Sequence, residues 1–312
     1  MNSISAVLWA VGSMAVSFAL LAVVFGPLER LFPARPGQRV RRPELLVDAC
    51  FFAGQYLLFA GLVTGALTWL YGHWRQLFPL EGFLSTAANM PVWLQAVVAI
   101  VAGDLLVYWF HRACHHFDLL WRFHAVHHSV EHLDWLAAHR EHPLDGLFTQ
   151  ALLNLPGIVL GVHFELLGAL IVFRGMWAIF IHSNVRLPVG PLKYLFGAPE
   201  LHHHHHAKVP RTLHNFANLA PYLDLLFGTY HCPEGEETYP LGLVDPWPRG
   251  YVAQLLYPFG VELPRRRTRR VELNLAQNPT AADSSTVRLH QIATGAPPSM
   301  KSTIGAEPPL TN

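Results

Sequence analysis

Charged residues are scarce in this chain. Of its 312 residues, 14% are Asp, Glu, Lys or Arg and 52% are hydrophobic, with a mean hydropathy of +0.26, whereas soluble domains hold about 25% charged residues. This composition excludes an ordinary soluble domain and predicts a membrane protein with polar segments attached. The formal net charge of +1 lacks the basic surplus of a nucleic-acid-binding protein, so we expect no nucleic-acid partner.

Cysteine is scarce as well. Cys50, Cys114 and Cys232 lie far apart and are odd in number, which argues against a disulfide framework or a CxxC metal site. The first apolar segment is not expected to be a cleavable leader, because no basic stretch precedes it and no clear small-x-small cleavage site follows it. We therefore expect this segment to remain as a membrane helix.

Long hydrophobic runs are abundant. Residues 4–25, 45–71 and 92–110 are each long and apolar enough to cross a bilayer of about 30 Å. A fourth run, residues 147–181, is interrupted by proline and glycine, which favours a helical hairpin that enters and leaves on the same face. The sequence thus predicts an all-α membrane bundle of about four bilayer-embedded helices, including a hairpin.

Arginines predict the orientation of this bundle. By the positive-inside rule, the loop after the first span is cytoplasmic, and so are the end of the third span and both ends of the hairpin. A histidine-rich cap at those ends would face the cytoplasm. The arginine-rich, lysine-poor composition favours a bacterial inner membrane. The arginines of the loop are Arg30, Arg35, Arg39, Arg41 and Arg42.

Most of the 20 histidines lie in the middle of the chain, in short boxes. Spacings of three and four residues put imidazoles on one face of a helix, and neutral imidazole binds zinc, copper, iron and nickel. The eight box histidines suffice for two metal ions beside the membrane, whereas His203 and His204 are expected to be bystanders. The boxes are His111-x-x-x-His115, His124-x-x-His127-His128 and His202-x-x-His205-His206.

Polar residues continue the first box into the membrane. Asp104 and Tyr108 share one helix face with His111 and His115, so we expect them to orient imidazoles through hydrogen bonds. An ionisable residue inside a span is costly and usually functional, although a polar pair with a neighbouring helix is the alternative. The other histidines expected to support the ligands are His139 and His214.

Carboxylates are missing from the boxes. There is no HExxH motif, although Glu131 and Glu141 lie nearby. A hydrolytic metal site usually presents a carboxylate as general base. The histidine-only set instead favours two irons that activate O2 for attack on an unactivated C–H bond.

In this order, the motifs resemble the fatty acid hydroxylase (sterol desaturase) superfamily over residues 94–230. The joint presence of the elements makes the resemblance specific. The matching elements are Asp104-x-x-x-Tyr108-Trp109-x-His111-Arg112-x-x-His115, Trp121-x-Phe123-His124-x-x-His127-His128-Ser129, Arg140-x-His142-Pro143, His182-Ser183-Asn184, Pro199-Glu200-x-His202-x-x-His205-His206, Asn215-Phe216 and Asp224-x-x-Phe227-Gly228-Thr229-Tyr230.

The resemblance implies a membrane-bound non-haem di-iron oxidoreductase that hydroxylates or desaturates a lipid of the sterol, sphingolipid or fatty acyl type. It implies O2, two iron ions that zinc can replace, and a separate electron donor such as a cytochrome b5-like protein, a ferredoxin or a reductase. Asp224 would support the site without binding metal. The implied catalytic metal ligands, with His142 as a tenth, are His111, His115, His124, His127, His128, His182, His202, His205 and His206.

Three positions depart from the family pattern. Ala217 stands where glycine is usual, Leu223 where tryptophan is usual, and His203 where arginine or lysine is usual. These positions border the implied ligands without belonging to them.

The predicted organisation has four parts. N-terminal helices with a basic loop occupy residues 1–93, the catalytic domain 94–232, a C-terminal cytoplasmic segment 233–275 and a disordered tail 276–312. The arginine run within residues 265–270 either contacts anionic headgroups or is solvated. Two functional alternatives stay open: an acyl-lipid desaturase of the related three-histidine-box type, and a non-catalytic membrane protein that binds or transports metal.

Overall fold

The structure is a computed structural model that describes residues 3–77, 87, 89–233 and 235–261. The arginine run within residues 265–270 and the tail from residue 276 lie outside the described residues. Within those described, the chain is helical and forms no strand, which confirms the predicted all-α class. Two isolated bridges join Pro33 to Val185 and Ala207 to Leu241.

Ten α-helices have both ends within the described residues. A π-helical turn, Gln55–Phe59, joins the second to the third without a break. The helices are α1 (Ser3–Leu31), α2 (Leu45–Gly54), α3 (Ala60–Leu77), α4 (Val92–His116), α5 (Asp118–His128), α6 (Pro143–Val159), α7 (Phe164–His182), α8 (Pro199–His205), α9 (Tyr222–Leu226) and α10 (Tyr251–Leu256).

Four helical segments are long and apolar enough to cross a membrane: Val7–Leu31, Leu45–His73, Val92–His116 and Phe164–His182. Their most apolar windows are at most 33% buried inside the protein, so most of this apolar surface is left for lipid to cover. The protein is therefore an integral membrane protein. Helix α6 has only 17 residues and is shorter than a typical span.

Helices α6 and α7 form the predicted hairpin. The side chain of His142 caps α6 by accepting the Leu144 N–H at 3.1 Å, and a proline in the first turn is favourable there. At the other end, Gly161 adopts a positive φ of 66°, and the Val162 N–H donates to the Gly157 carbonyl at 2.9 Å. This glycine-based helix end reverses the chain, so both outer ends of the hairpin return to the same end of the bundle.

Helix α1 extends beyond the end predicted for it. The apolar pattern placed that end at residue 25, before Gly26 and Pro27, but the helix continues to Leu31 with the proline inside it. Phe25 and Leu28 pack against a cluster that contains Phe52. This tertiary packing outweighs the tendency of proline to break a helix.

A buried arginine and a glycine join α4 to the hairpin. Arg174 donates to the Leu153 carbonyl at 2.7 Å and to the Ile100 carbonyl at 2.6 Å, and it lies 3.2 Å from a carboxylate oxygen of Asp104. A Cβ at Gly103 would lie 2.5 Å from the Leu153 carbonyl oxygen. Only glycine allows α4 and α6 to approach this closely.

Candidate metal centre

The first group of histidines gathers where α4 ends. His111 and His115 lie one turn apart on the last two turns of α4, and histidines of α5 and α8 meet them. One ligand nitrogen from each of five side chains lies within 4.8 Å of the others, and all five side chains are buried. The group consists of His111, His115, His124, His128 and His205.

The second group lies beside the first and contains His127, His182, His202 and His206. The Nε2 atom of His182 is 3.0 Å from that of His127 and 2.8 Å from that of His202. The Nε2 atom of His202 is in turn 3.1 Å from that of His206. Four imidazole nitrogens therefore converge on one point.

Helical spacing explains why the HxxHH boxes serve both groups. In α5, residues 124 and 128 are four apart and join the first group, whereas His127, about 100° around the helix from His128, joins the second. Box 202–206 repeats the arrangement in reverse, because residues 202 and 206 join the second group while His205 joins the first. Each box thus sends a pair of imidazoles to one group and a single imidazole to the other.

Fixed acceptors hold the outer nitrogens of five of these imidazoles. Because carbonyl and carboxylate oxygens only accept, Nδ1 must carry the proton in each case, which leaves Nε2 with a lone pair that faces inward. The bonds run from His111 to the Phe216 carbonyl at 2.7 Å, from His124 to Asp145 at 2.8 Å, from His127 to the Arg140 carbonyl at 3.1 Å, from His182 to the Ala178 carbonyl at 2.6 Å and from His205 to the His214 carbonyl at 2.8 Å.

This arrangement fits metal ions better than hydrogen bonds. His127 and His182 both carry their ring proton on Nδ1. The Nε2 atoms, 3.0 Å apart, are therefore both unprotonated and cannot form a hydrogen bond with each other. Nitrogen ligands about 90–110° apart on a metal with bonds of about 2.0–2.1 Å lie about 3 Å from each other. In the first group, no described residue hydrogen-bonds the buried inward nitrogens of His111, His115, His124, His128 and His205.

Burial keeps four of the imidazoles outside the spans neutral. It lowers the pKa of His127 to about 4, helped by the neighbouring His124. Burial, followed by the neighbouring imidazoles, also holds the pKa of His128, His202 and His206 well below the usual value. A neutral imidazole is the form that binds a metal ion, so these four side chains can bind a metal at neutral pH.

The order of these elements along the chain identifies the family. Residues 96–229 match the sequence profile of the fatty acid hydroxylase family. This part of the chain belongs to that family. The match includes all nine histidines of the two groups.

Curated relatives agree with this assignment. The chain is 36% identical over 173 residues to ornithine lipid hydroxylase OlsE of Rhizobium tropici, covering 54% of this chain and 51% of that protein. It is 29% identical to alkylglycerol monooxygenase of Danio rerio (52% and 36% covered), and 33% identical to Delta(7)-sterol 5(6)-desaturase ERG3A of Gibberella zeae (42% and 36% covered). The chain thus spans about half or less of these relatives. No solved structure matched it.

The fatty acid hydroxylase domain does not bring His142 into either histidine group. Its Nδ1 atom caps α6, and its Nε2 atom donates to the Leu255 carbonyl at 3.2 Å. Both ring nitrogens are therefore already used. The Arg-x-His-Pro element instead acts through Arg140, whose carbonyl accepts the Nδ1 proton of His127.

The supporting residues predicted in the domain have different placements. Asp104 pairs with Arg174 rather than with a histidine, and the Tyr108 hydroxyl lies 2.8 Å from that of Thr229. His139 bonds to Gln55 at 2.9 Å. His214 contributes only its backbone carbonyl, to His205. The alternative of a polar pair with a neighbouring helix thus describes Asp104.

Asp224 of the closing motif supports a ligand through the backbone. Its carboxylate accepts the Phe216 and Ala217 N–H groups at 2.8 and 3.0 Å and the Thr229 hydroxyl at 2.7 Å. These bonds hold the Phe216 carbonyl against His111. Burial raises the pKa of Asp224, partly offset by these donors.

Two supporting features were missed at the level of sequence. Asp145 binds His124, and the only signal for it is an acidic residue in the first turn of α6.

Asp48, a buried acid inside the second span, accepts from Arg140 at 2.6 Å and also pairs with Arg42. Arg42 in turn binds Asp134 through two nitrogens at 2.7 Å. This network fixes the backbone that holds His127.

Proposed function

We propose that the protein is a membrane-bound oxidoreductase in which each histidine group holds one iron ion, and which uses O2 and external electrons to hydroxylate or desaturate a lipid. The observation that carries the proposal is the convergence of nine imidazoles into two adjacent groups with their ligand nitrogens facing inward. The names of its relatives, which specify ornithine lipid, alkylglycerol and a sterol, support a lipid as the substrate.

The chemistry of the ligand set favours this reaction class. A pair of irons would supply the activation of O2 and the removal of hydrogen from an unactivated C–H bond. The two groups described here supply only imidazole nitrogens, and neither group contains a carboxylate placed as a general base. A hydrolytic centre usually has such a base.

The surrounding residues hold the ligands still and keep water out. The acceptors at the outer nitrogens fix each ring in one tautomer and one orientation. Asp145 also makes His124 a stronger metal ligand, because a carboxylate that accepts the Nδ1 proton raises the basicity of the ring. Eight of the nine rings are clearly buried, and His127 is at the margin with 9% exposure.

The basic loop lies beside the histidine groups, which supports a cytoplasmic active site. Arg35 lies 3.4 Å from Glu237, and Arg42 binds Asp134. Because positively charged loops stay on the cytoplasmic side, the basic loop and the histidine groups would both face the cytoplasm if the protein is in a bacterial inner membrane. A separate soluble or membrane-bound donor would deliver electrons there.

Metal transport is less favoured because of where the histidines lie. Transporters bind their ions near the middle of the membrane on broken helices. Here His182 is the last residue of its span, and His111 and His115 occupy the last two turns of theirs. The remaining ligands lie in the cap outside the spans.

Iron content tests the proposal. The full chain, purified in detergent and stripped by a chelator, is loaded anaerobically with ferrous iron, so that zinc acquired during expression does not decide the result. We expect about two irons per chain, one for each group, and a loss in His202→Ala. His204→Ala is the matched control, since both residues are on α8 and 3% exposed. Equal iron content in both variants would contradict the assignment.

Lipid profiling then tests the reaction. Cells that express the wild-type chain should contain a lipid that has gained one oxygen or lost two hydrogens, and cells that express His202→Ala should not. Cells that express His204→Ala should match the wild type. Full iron occupancy without any changed lipid would contradict the proposed oxidoreductase activity but not the proposed metal site.

A further inference from the structure

A cavity of about 340 Å³ opens beside the end of α4 and reaches the first histidine group. His115, Phe216 and Thr229 are among its lining residues. His115 belongs to the first group, and both of its ring nitrogens are buried without a hydrogen bond to a described residue. The cavity is therefore a route from the protein surface to a candidate metal ligand.

The rim of this cavity is apolar and exposed. Trp109, Phe117 and Leu213 line it and are 47%, 56% and 62% exposed. Trp109 also contacts Phe227 at a ring-centroid distance of 4.9 Å, and the two residues before Phe227, Leu225 and Leu226 of α9, are 48% and 71% exposed. Such a patch is too apolar to suit an aqueous surface and marks a contact with lipid or a partner.

The rim is continuous with the membrane-facing side of α4. Trp109 lies on the candidate span Val92–His116, four residues after Leu105, which is also exposed. Residues four apart share one helix face, and tryptophan is enriched where membrane and water meet. An aliphatic chain lying along this face would meet the cavity without leaving an apolar surface.

Arg112 adds a positive charge to the lining. Its guanidinium lies over the Trp109 ring at 5.4 Å and donates to the Tyr108 hydroxyl at 3.2 Å. No carboxylate of the described residues lies within ion-pair distance of it, although its charge acts on the buried carboxylate of Asp224, and it is half-buried. A guanidinium with free donors at a membrane boundary suits a carboxylate or phosphate group.

We propose that this cavity is the lateral opening through which the lipid substrate reaches the metal centre, and that Arg112 binds an anionic headgroup. This inference rests on the proposed function. Arg112 and His115 are three residues apart on α4, a rise of about 4.5 Å. The carbon next to His115 is therefore close to the headgroup, while the distal chain remains along Leu105 and Trp109 in the bilayer.

Photolabelling of the full chain in phosphatidylcholine nanodiscs tests this placement. Two probes are used: hexadecanoic acid with a diazirine near the carboxyl group, and the same acid with the diazirine at the far end. We expect the first to label peptides that contain Phe216 or Thr229, and the second to label the peptide around Leu105. The reverse pattern, or labelling confined to other helices, would overturn the proposal.

Variants separate the headgroup contact from the opening. Arg112→Gln should reduce labelling by the acid about tenfold, as expected for loss of a hydrogen bond to a charged group, while Arg112→Lys retains more. Labelling by the matching diazirine-bearing hexadecanol, which has no charge, should be unchanged in both. Equal losses for the acid and the alcohol would overturn the role of Arg112.

A matched pair of tryptophan substitutions tests the opening itself. Leu213→Trp should obstruct the rim and reduce labelling by both probes. Leu192→Trp is the control, because Leu192 is 57% exposed and lies outside the cavity lining. If neither variant changes labelling, the lipid does not use this opening. Iron content measured on the same samples keeps the two questions apart, since two irons with labelling elsewhere would refute the opening and not the metal centre.

Discussion

His127 and His182 point their Nε2 atoms at each other across 3.0 Å, while each donates its Nδ1 proton to a backbone carbonyl. Two lone pairs therefore face each other in a buried site. A cation between them removes this repulsion, so metal binding and folding stability are coupled.

Metal removal should lower the thermal stability of the protein. A ligand present at 100 times its Kd stabilises the native state by about 2.7 kcal/mol, which corresponds to a shift in Tm of several degrees for a chain of this size. We expect the chelator-stripped protein to melt earlier and ferrous iron to restore the Tm. His182→Ala should recover less of the shift than His204→Ala. A Tm that iron does not change would contradict the coupling.

Asp145→Asn should weaken metal binding in the first group. Its carboxylate accepts the Nδ1 proton of His124 at 2.8 Å, and loss of such a partner typically costs 10–100-fold in metal affinity, as an order of magnitude. A competition titration against a chromophoric chelator measures this change.

Asp118→Asn is the control for the loss of one negative charge. The Asp118 side chain is 84% exposed and binds only Arg211 among the contacts described for it. We expect its metal affinity to equal that of the wild type. Equal losses in both variants would mean that net charge, rather than the bond to His124, sets the affinity.

Much of the site was predictable because it depends on local spacing. A helix places residues four apart on one face, so the boxes alone indicate which imidazoles stand together. The division of each box between two groups is also helical geometry, although the sequence does not reveal which partner helix each face meets. His182, which lies outside the boxes, stands at the end of the predicted hairpin beside them, and the family resemblance added it to the implied ligands.

The remaining contacts depend on packing between distant segments. Asp145 reaches His124 only because α6 lies against α5, and Arg174 meets Asp104 across 70 residues of sequence. The placement of His142 instead depends on a local contact. Its motif suggested a ligand, but the helix that begins at Pro143 uses the imidazole as its cap. Local capping chemistry took precedence over metal binding.

Gly103→Ala should destabilise the bundle. The added Cβ would lie 2.5 Å from the Leu153 carbonyl oxygen and 2.8 Å from the Arg174 guanidinium, so α6 must move away from α4. Overpacking of this kind costs about 1–3 kcal/mol. A melt followed by tryptophan fluorescence in detergent measures the change.

Gly175→Ala provides the matched comparison for this effect. Gly175 is also inside a helix of the bundle, but a Cβ there has nothing within 4 Å. Alanine is favoured over glycine in a helix by about 0.5–1 kcal/mol, so we expect an unchanged or slightly raised Tm. If Gly103→Ala behaved the same way, the close approach of α4 and α6 would not matter.

His203 should act as a cation, which accounts for its place where the family usually has arginine or lysine. Its Nδ1 atom lies 2.7 Å from Glu237 and its Nε2 atom 3.0 Å from the Ser183 carbonyl. Both acceptors require a donor, so the ring is doubly protonated. The positive charge of His203 contributes to the lowered pKa of Glu237, against the effect of burial.

Substitutions of His203 distinguish charge from shape. His203→Gln leaves Glu237 buried with Arg35 and Arg186 as the remaining positive charges that act on it, and breaking a buried pair costs about 3–5 kcal/mol. His203→Lys retains the charge and should lose less stability. Iron content should survive in both, because His203 belongs to neither group. A His203→Lys variant that is less stable than His203→Gln would show that the ring's shape matters more than its charge.

Acid should destabilise the metal-free protein over a defined pH range. Burial lowers the pKa of His127 from the ordinary 6.5 to about 4, so the unfolded chain binds a proton there that the folded chain excludes. Stability linked to this group is complete above pH 6.5 and falls as the pH drops toward 4. His128, His202 and His206 have pKa values shifted in the same direction, so the slopes add.

Melts of the chelator-stripped protein across this range measure the effect. The Tm should fall steadily below pH 6.5, with each titrating imidazole contributing at most about 1.4 kcal/mol per pH unit. His127→Gln removes one such group and should make the decline shallower. His73→Gln, which replaces an exposed histidine of α3, should leave the slope unchanged. A Tm independent of pH between 6.5 and 4 would contradict the prediction. It would mean that water reaches these imidazoles in the metal-free protein.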